Sequence, residues 1–329
     1  MEQAAMPNMT PAPKVLKPDK RESLWRNFKR RKMLYFMCIP GILIYLVFAY
    51  VPMYGIIVAF LNYNPYSGLA GIFDRSISPW VGWQWFDIFI NQRAFWPITR
   101  NTLMISFYGL IWGFPMPIIL AILFNEVRNA PFKRVAQTIS YLPHFLSWAI
   151  MGGLVISFLS PNNGSLNSML MSLGLLKEPI QWVVQPQYFR TILVVSSIWK
   201  GVGWGTIIYL AAIVGIDPAL YEAAVMDGAG KFRQILNITL PGITPVISIS
   251  LILAVGGMMG ANFEQIYMLM TPNTQAVGDV YETFTYRIGI QRAQFSLTTA
   301  AGLFKNVVNS ILLITANFFS KKVSGTGIW

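Results

Sequence analysis

The chain has 329 residues, of which 54% are hydrophobic and only 12% are charged. This charged fraction is about half that of a typical soluble domain, so the composition argues against a soluble protein and indicates one embedded in lipid. The net charge of +12 could indicate nucleic-acid binding, but nine of the basic residues lie in the first 32 positions. Such a tail favours an orientation signal that contacts anionic membrane lipid, and no nucleic-acid partner is expected.

Six segments are apolar and exceed the about 20 residues that a helix needs to cross a bilayer. The first begins too late, and is too long, to be the core of a secretory signal, so it predicts a retained anchor. The sequence therefore predicts an all-α membrane protein with a basic tail at 1–32, a transmembrane domain at 33–320 and a C-terminal tail at 321–329. The expected spans are 33–61, 101–125, 135–160, 191–215, 242–266 and 297–320.

The distribution of Lys and Arg predicts the orientation of these helices. An even number of spans puts both termini on one side, where 16 basic residues are counted, against 7 on the opposite side. The positive-inside rule then places the N- and C-termini in the cytoplasm. The loop at 216–241, the longest connection on that side, is cytoplasmic by the same count.

This cytoplasmic loop begins with clear helix signals. Asp217 is a suitable N-cap and Pro218 suits the first helical position, so a short helix is predicted to follow them. Gly228 permits the sharp turn that ends this helix. A second short helix is expected at 231–238, closed by Pro241 before the fifth span begins.

The predicted helix has a narrow face of small side chains. Leu220, Ala223 and Ala224 share this face at helical spacing, and the acidic Glu222 and Asp227 project beside them. Small side chains allow a partner to approach closely, so the loop could be a docking knob on the cytoplasmic surface. The alternative is an ordinary amphipathic connector that lies on the bilayer.

The segment GAGK, at 228–231, could suggest a nucleotide-binding loop. The phosphate-loop pattern G-x-x-x-x-G-K-[ST] needs a glycine where the chain has Val225 and a hydroxyl residue where it has Phe232. Because these two defining residues are missing, the chain is not expected to bind nucleotide itself.

A family resemblance enters at these same positions. The sequence EAAVMDGAGKFRQILNITLP resembles the coupling motif of ATP-binding-cassette (ABC) importer permeases, E-A-A-x-x-x-G followed after an interval by I-x-L-P. The matching residues are Glu222, Ala223, Ala224, Gly228, Ile238, Leu240 and Pro241. The stretches 125–148 and 199–224 resemble the LplB-like permeases of oligosaccharide and polysaccharide importers.

This resemblance implies the type I ABC importer permease fold with six helices, and a non-catalytic role as a permease subunit. It implies that a separate cytoplasmic ATPase dimer binds ATP and magnesium, so that this chain holds no cofactor. The residues implied to dock into that dimer are Glu222, Ala223, Ala224, Asp227 and Gly228. A second, non-identical permease and an extracellular solute-binding lipoprotein complete the implied assembly. It would import oligosaccharides or polysaccharide fragments across a bacterial plasma (inner) membrane by alternating access.

Polar residues within or near the spans are candidates for the substrate path, because ionisable groups in a membrane are expensive. These candidates are Trp199, Lys200, Asn262, Glu264, Lys305, Asn306 and Asn309. They could line a polar cavity for sugar hydroxyls, and the two lysines could bind the carboxylates of an acidic sugar. Alternatively, the lysines reach the interface or pair with acids of the partner permease, and the asparagines bond between helices.

Two rival functions are considered on the residues alone. A secondary transporter would need an ion site within the chain and no ATPase. A membrane-embedded enzyme would need a cluster of acids or histidines at one interface, whereas the external acids are scattered and His144 is the only histidine. No metal-ligand spacing is present in the sequence, which argues further against the enzyme.

Overall fold

The computed structural model describes residues 31–325 and 327–328, so most of the basic tail predicted at 1–32 lies outside the described residues. Within the described part the chain is almost wholly helical, and its one β element is an isolated bridge between Leu61 and Trp80. The prediction of an all-α protein is therefore confirmed. The chain divides into two units, Met1–Gly55 and Ile56–Trp329, and the sites described below belong to the second.

The main helices are numbered here in chain order. They are α1, Lys32–Phe60; α2, Phe95–Glu126; α3, Ala130–Phe145; α4, Trp148–Phe158; α5, Pro186–Val214; α6, Pro218–Met226; α7, Lys231–Gly256; α8, Phe263–Leu269; and α9, Phe295–Ser324. Shorter helices in the connections are Pro65–Ser67, Ala70–Phe73, Gln84–Asn91, Ser165–Ser172, Trp182–Val184, Gln275–Gly278, Tyr281–Phe284 and Thr285–Ile290. Among the described residues, α1, α2, α5, α7 and α9 are each long and apolar enough to cross a membrane, and α3 with α4 gives a sixth candidate.

The third predicted span, at 135–160, is wrong as a single helix. The structure divides it into α3 and α4, which meet at an angle of 106°. Leu146 and Ser147 are extended between them, with ψ of 141° and 157°. Pro143 lacks the N–H that would continue the hydrogen bonding of α3, and the Ser147 hydroxyl accepts the Ile150 N–H at 3.4 Å to start α4. The chain therefore begins a new helix within the span.

The helix predicted at 231–238 and the fifth span predicted at 242–266 also differ from the structure. α7 joins the predicted helix at 231–238 to the first part of the fifth span, and it ends at Gly256 before α8 begins. Pro241 does not stop it, because a wide π-type turn over Ile235–Thr239 relieves the clash that a proline ring makes with the preceding turn. The fifth span is therefore a long helix, a break at 257–262 and a short helix.

α5 is the central helix of the second unit and contacts α2, α3 and α7. Near its first half lies a buried cluster of Val155, Leu159, Phe189, Leu193, Ile266, Leu269 and Val280. Near its second half lies another, formed by Ile118, Ala121, Tyr209, Ile213 and Ile243. Many other large apolar side chains are exposed, as a surface facing lipid requires.

α3 crosses α5 at a close backbone contact. A Cβ atom added to Gly203 would lie 2.0 Å from the Ser140 carbonyl oxygen and 2.9 Å from the Tyr141 nitrogen. Both are backbone atoms, which cannot turn away as the end of a flexible side chain can. Glycine is therefore what allows the two helices to approach this closely.

Candidate coupling site and transport path

α6 is built by start and stop signals in its own sequence. The Asp217 carboxylate accepts a hydrogen bond from the Ala219 N–H at 2.9 Å, and Pro218 occupies the first turn. Beyond the other end, Gly228 has a φ of +73°, a left-handed conformation that glycine adopts without steric penalty. The helix that the sequence predicts here is confirmed.

Polar contacts join α6 to α7 and α7 to α2. The Tyr221 hydroxyl lies 2.9 Å from Oγ1 of Thr239 in α7. Lys231, the first residue of α7, forms a 3.2 Å ion pair with Glu126, the last residue of α2. The end of α2, α6 and the start of α7 therefore lie on one side of the helices, called the α6 side below. A cavity of about 430 Å³ lies between them, with Glu222 in its lining.

The surface of α6 and of the turn after it combines exposed apolar and acidic side chains. Met226 is 87% exposed, Phe232 74% and Val225 61%. Glu222 and Asp227 are exposed as well, and neither makes an ion pair with any residue that the structure describes. These five residues are called the docking surface below. It offers apolar contact area beside two acidic side chains that have no ionic partner in the described chain.

The apolar part of this surface differs from the predicted face. Ala224 is half-buried, because it shares the inward face of α6 with Tyr221, three residues earlier. Ala223 is exposed and Leu220 is about half exposed, so the small residues lie at the edge of the surface. The large exposed side chains come instead from the end of α6 and from Phe232.

Sequence reasoning missed the residues that hold α6 in place. Tyr221 and Thr239 are separated by 18 positions, and no motif joins them. The sequence gives only a weak indication of the ion pair between Glu126 and Lys231. Glu126 is an acid at the end of a span, on the same side as Lys231. Opposite charges at two helix ends on the same side indicate an ion pair only once the helices are known to be neighbours.

Lys200 faces the break between α3 and α4. Its Nζ donates hydrogen bonds to the carbonyl oxygens of Pro143 at 3.3 Å and His144 at 2.8 Å, and also to that of Leu146. Lys200 is thus engaged with backbone atoms of its own chain. The sequence predicted other roles for this lysine: binding a sugar carboxylate, reaching the membrane interface, or pairing with an acid of the partner permease. The structure shows none of these among the residues it describes.

Lys305, in α9, forms a 2.9 Å ion pair with Glu282. The acid that pairs with Lys305 therefore belongs to the same chain, and not to the partner permease as one of the two alternatives predicts. One helical turn further on, the Asn309 side chain accepts the Met259 N–H at 3.2 Å. Asn309 thereby bonds to the break that follows α7, which fits the alternative of an asparagine that bonds between helices.

The remaining path candidates lie apart from one another. Asn262 accepts the Gln265 N–H at 3.3 Å and so caps α8, whereas Glu264 and Asn306 are exposed. Trp199 lines an apolar cavity of about 800 Å³ between α4, the first half of α5 and the connection after α4. It is the one candidate that lines either of the two cavities described here. The structure therefore does not gather the seven residues around one polar cavity.

A partly buried polar network orders the connection between α8 and α9. The Asn101 amide donates to the carbonyls of Ala276 at 3.0 Å and Asp279 at 3.1 Å, and its oxygen accepts from Arg190 at 2.8 Å. The Asp279 carboxylate in turn pairs with Arg287 at 2.5 Å. One asparagine from α2 thus joins α5 to this connection.

Asn101→Ala should destabilise the protein. The change leaves the buried Asp279 carbonyl, the partly buried Ala276 carbonyl and the Arg190 guanidinium without their partner. We expect it to lower the free energy of unfolding by about 2 kcal/mol or more. Thermal unfolding of the purified protein measures this as a lower midpoint. Asn62→Ala, at an exposed position, is the control and should leave the midpoint unchanged; equal midpoints for both variants would contradict the assignment.

The fold is that of a helical membrane protein, and the comparisons identify its class. Residues 113–325 match the family described as "Binding-protein-dependent transport system inner membrane component". The chain belongs to this family. It is therefore a multi-pass inner-membrane protein and a non-catalytic permease component of an ABC transporter, which rules out the membrane-embedded enzyme considered above.

Particular relatives narrow the class to sugar transport. The chain is 42% identical over 324 residues to Protein LplB of Bacillus subtilis (strain 168), covering 98% of this chain and 99% of the relative. It is 41% identical over 315 residues to the polygalacturonan/rhamnogalacturonan transport system permease protein YteP of the same organism, covering 96% of each.

A solved structure shares the fold. The crystal structure of a bacterial alginate ABC transporter in complex with an alginate pentasaccharide-bound periplasmic protein contains a chain with a TM-score of 0.83 and 40% identity. The match covers 93% of this chain and 100% of that one. This protein is accordingly a sugar or polysaccharide ABC transporter permease component, and the predicted permease fold is confirmed.

Proposed function

We propose that this permease couples import to ATP hydrolysis by a separate ATPase dimer that docks on the α6 side. The observation that carries the proposal is the docking surface. Met226 and Phe232 offer exposed apolar anchors, and Glu222 and Asp227 offer acids without an ionic partner in the described chain. A few large anchors supply most of the energy of an interface, and unpaired charges give it specificity. The α6 side is then the cytoplasmic side, in agreement with the count of basic residues.

The connections of α6 suit it to transmit movement. Only Gly215, Ile216 and Asp217 separate it from the end of α5, and the Tyr221 and Lys231 contacts tie its surroundings to α7 and α2. A displacement of α6 is therefore passed to α5 through the link and to α7 through Tyr221, and α7 is itself paired with α2 through Lys231. In this proposal those helices rock against a second, non-identical permease, which gives alternating access to a path between the two subunits.

The proposed cargo is an oligosaccharide or polysaccharide fragment with acidic groups, delivered by a solute-binding lipoprotein on the side opposite α6. Two relatives support this class by their descriptions, one as a transporter of polygalacturonan/rhamnogalacturonan and one of alginate. Near Asn262, the rings of Phe263, Tyr267 and Tyr286 pack with centroids 5.2–5.3 Å apart. Flat aromatic faces suit sugar rings, so we place part of the path beside α8.

Glu222→Lys should separate the permease from its ATPase. Reversing an unpaired charge inside the docking surface is expected to weaken association by about thirtyfold or more. The measurement is co-purification of the ATPase with the tagged permease, together with ATP-dependent uptake into proteoliposomes of the complete transporter. Glu178→Lys, an exposed acid far along the chain from α6, is the matched charge reversal and should retain association.

Two results would overturn the proposed function. One is a wild-type permease that retains no ATPase under conditions in which both proteins are folded. The other is sugar uptake that continues without ATP on an ion gradient alone, as a secondary transporter would show.

A further inference from the structure

The break between α3 and α4 lies beside the middle of α5. Lys200 is 14 residues from Pro186 and 14 from Val214, the two ends of that helix. At about 1.5 Å per residue, its Cα is roughly 21 Å from each end. The last carbonyl groups of a helix generally lack partners within it. At this break the Pro143 carbonyl accepts the Leu146 N–H at 3.3 Å, and at this depth in a bilayer there is little water to supply further donors. The break therefore needs donors from elsewhere in the protein.

Lys200 supplies those donors. An ammonium group has three N–H bonds, and the three carbonyl oxygens of Pro143, His144 and Leu146 all accept from it. Because its hydrogen-bonding capacity is fully used within the chain, no donor is left for the carboxylate of a substrate in this conformation. The structure thus shifts the interpretation of Lys200 from the sugar path to the geometry of the broken span.

A second contact from the same face of α5 holds the break. Trp204 is one helical turn after Lys200, and its ring stacks on that of His144 with centroids 4.6 Å apart and planes 2° from parallel. Phe145 meets the same indole edge-on at 5.9 Å, and Trp148, at the start of α4, lies 5.6 Å from the Lys200 ammonium. One face of α5 therefore contacts residues on both sides of the break.

We propose that Lys200 is a positioning residue that locks both halves of the broken span to α5. This proposal rests on the proposed function, in which α6 moves with its ATPase and α5 follows through a link of three residues. With the lock in place, movement of α5 carries the end of α3 and the start of α4 together. Without the Lys200 contacts, the angle between α3 and α4 changes freely. Movement of α5 driven by ATP hydrolysis is then not transmitted across the break.

Lys200→Met tests the lock, because it keeps a long side chain and removes the ammonium donors. In the complete transporter reconstituted in liposomes, with alginate pentasaccharide as the probe, we expect the sugar moved per ATP hydrolysed to fall about tenfold, the order expected for losing one charge-assisted hydrogen bond. Lys200→Arg keeps charged donors and should retain most of the ratio. Lys177→Met, which removes an exposed ammonium from a connection, should not change it.

The ratio separates positioning from a merely structural role. A residue needed only for folding lowers the amount of assembled transporter but leaves the sugar moved per ATP unchanged, so an unchanged ratio in Lys200→Met overturns the proposal. If the wild-type transporter shows no ATP-dependent uptake of the probe, the proposed function or its cargo fails instead. A second measurement, of the distance across the break, then tests the lock.

That second measurement needs no substrate. Spin labels at Ile139 in α3 and Ile156 in α4, both exposed, report the distance across the break in a Cys38→Ser background. We expect one narrow distance distribution with Lys200 and a broad or multiple one in Lys200→Met and Lys200→Gln, the latter retaining a weaker amide donor. Identical narrow distributions in all three proteins would overturn the lock, whatever the uptake assay shows.

Discussion

Met226→Asp should abolish the association of the permease with its ATPase and leave the permease itself folded. The side chain is 87% exposed, so its own chain gains little from it. In the proposed complex it is the most prominent apolar group of the docking surface. Removing such an anchor and burying a charge in its place is expected to cost about 2–4 kcal/mol of binding free energy, or roughly 30- to 1,000-fold in affinity.

Two measurements on the same preparation check this result. Co-purification of the ATPase should fall to background, and the thermal unfolding midpoint of the isolated permease should match the wild type. Met169→Asp is the control, since it makes the same exchange at an exposed position in the connection after α4. Undiminished co-purification of Met226→Asp would show that the ATPase docks elsewhere.

Gly203→Ala should prevent α3 from packing on α5. The added carbon would lie 2.0 Å from the carbonyl oxygen of Ser140, and both helices would have to separate to admit it. Overpacking of this kind typically costs about 1–3 kcal/mol, and a clash with backbone raises the cost because no side chain can turn away. We expect a large loss of monodisperse protein on size-exclusion chromatography after extraction from the membrane.

Gly201 provides a closely matched control. It lies on the same helix two positions earlier, and a Cβ there would meet no atom within 4 Å. Gly201→Ala should be neutral or slightly stabilising, because alanine favours a helix over glycine by about 1 kcal/mol. If both variants purify equally well, the close contact between α3 and α5 is not present in the folded protein.

The residues of α6 show what a sequence can predict. Asp217, Pro218 and Gly228 act on the backbone within a few positions of themselves, so the helix and the turn after it follow from local chemistry. The long helices α1, α2, α5 and α9 were likewise predicted from apolar length alone. In contrast, which face of α6 turns inward depends on the contact of Tyr221 with Thr239, and no local pattern contains that contact.

The broken third span shows where such reasoning stops. Average hydrophobicity is the same for one straight helix and for two that meet at 106°, so the stretch at 135–160 looks continuous. Pro143 permits a bend without dictating one. What stabilises the break is Lys200, 54 to 57 positions away, whose charge attracts attention in the sequence but whose partners are backbone carbonyls that carry no sequence signature.

The midpoint position of Lys200 has a mechanical consequence. If α5 tilts about the point where Lys200 contacts the broken span, that point is a pivot with about 21 Å of helix on each side. Its two ends then travel equal distances in opposite directions. A tilt of about 10° moves each end by roughly 4 Å. In the proposed mechanism, an inward pull on the α6 side would then close one end of the path as it opens the other.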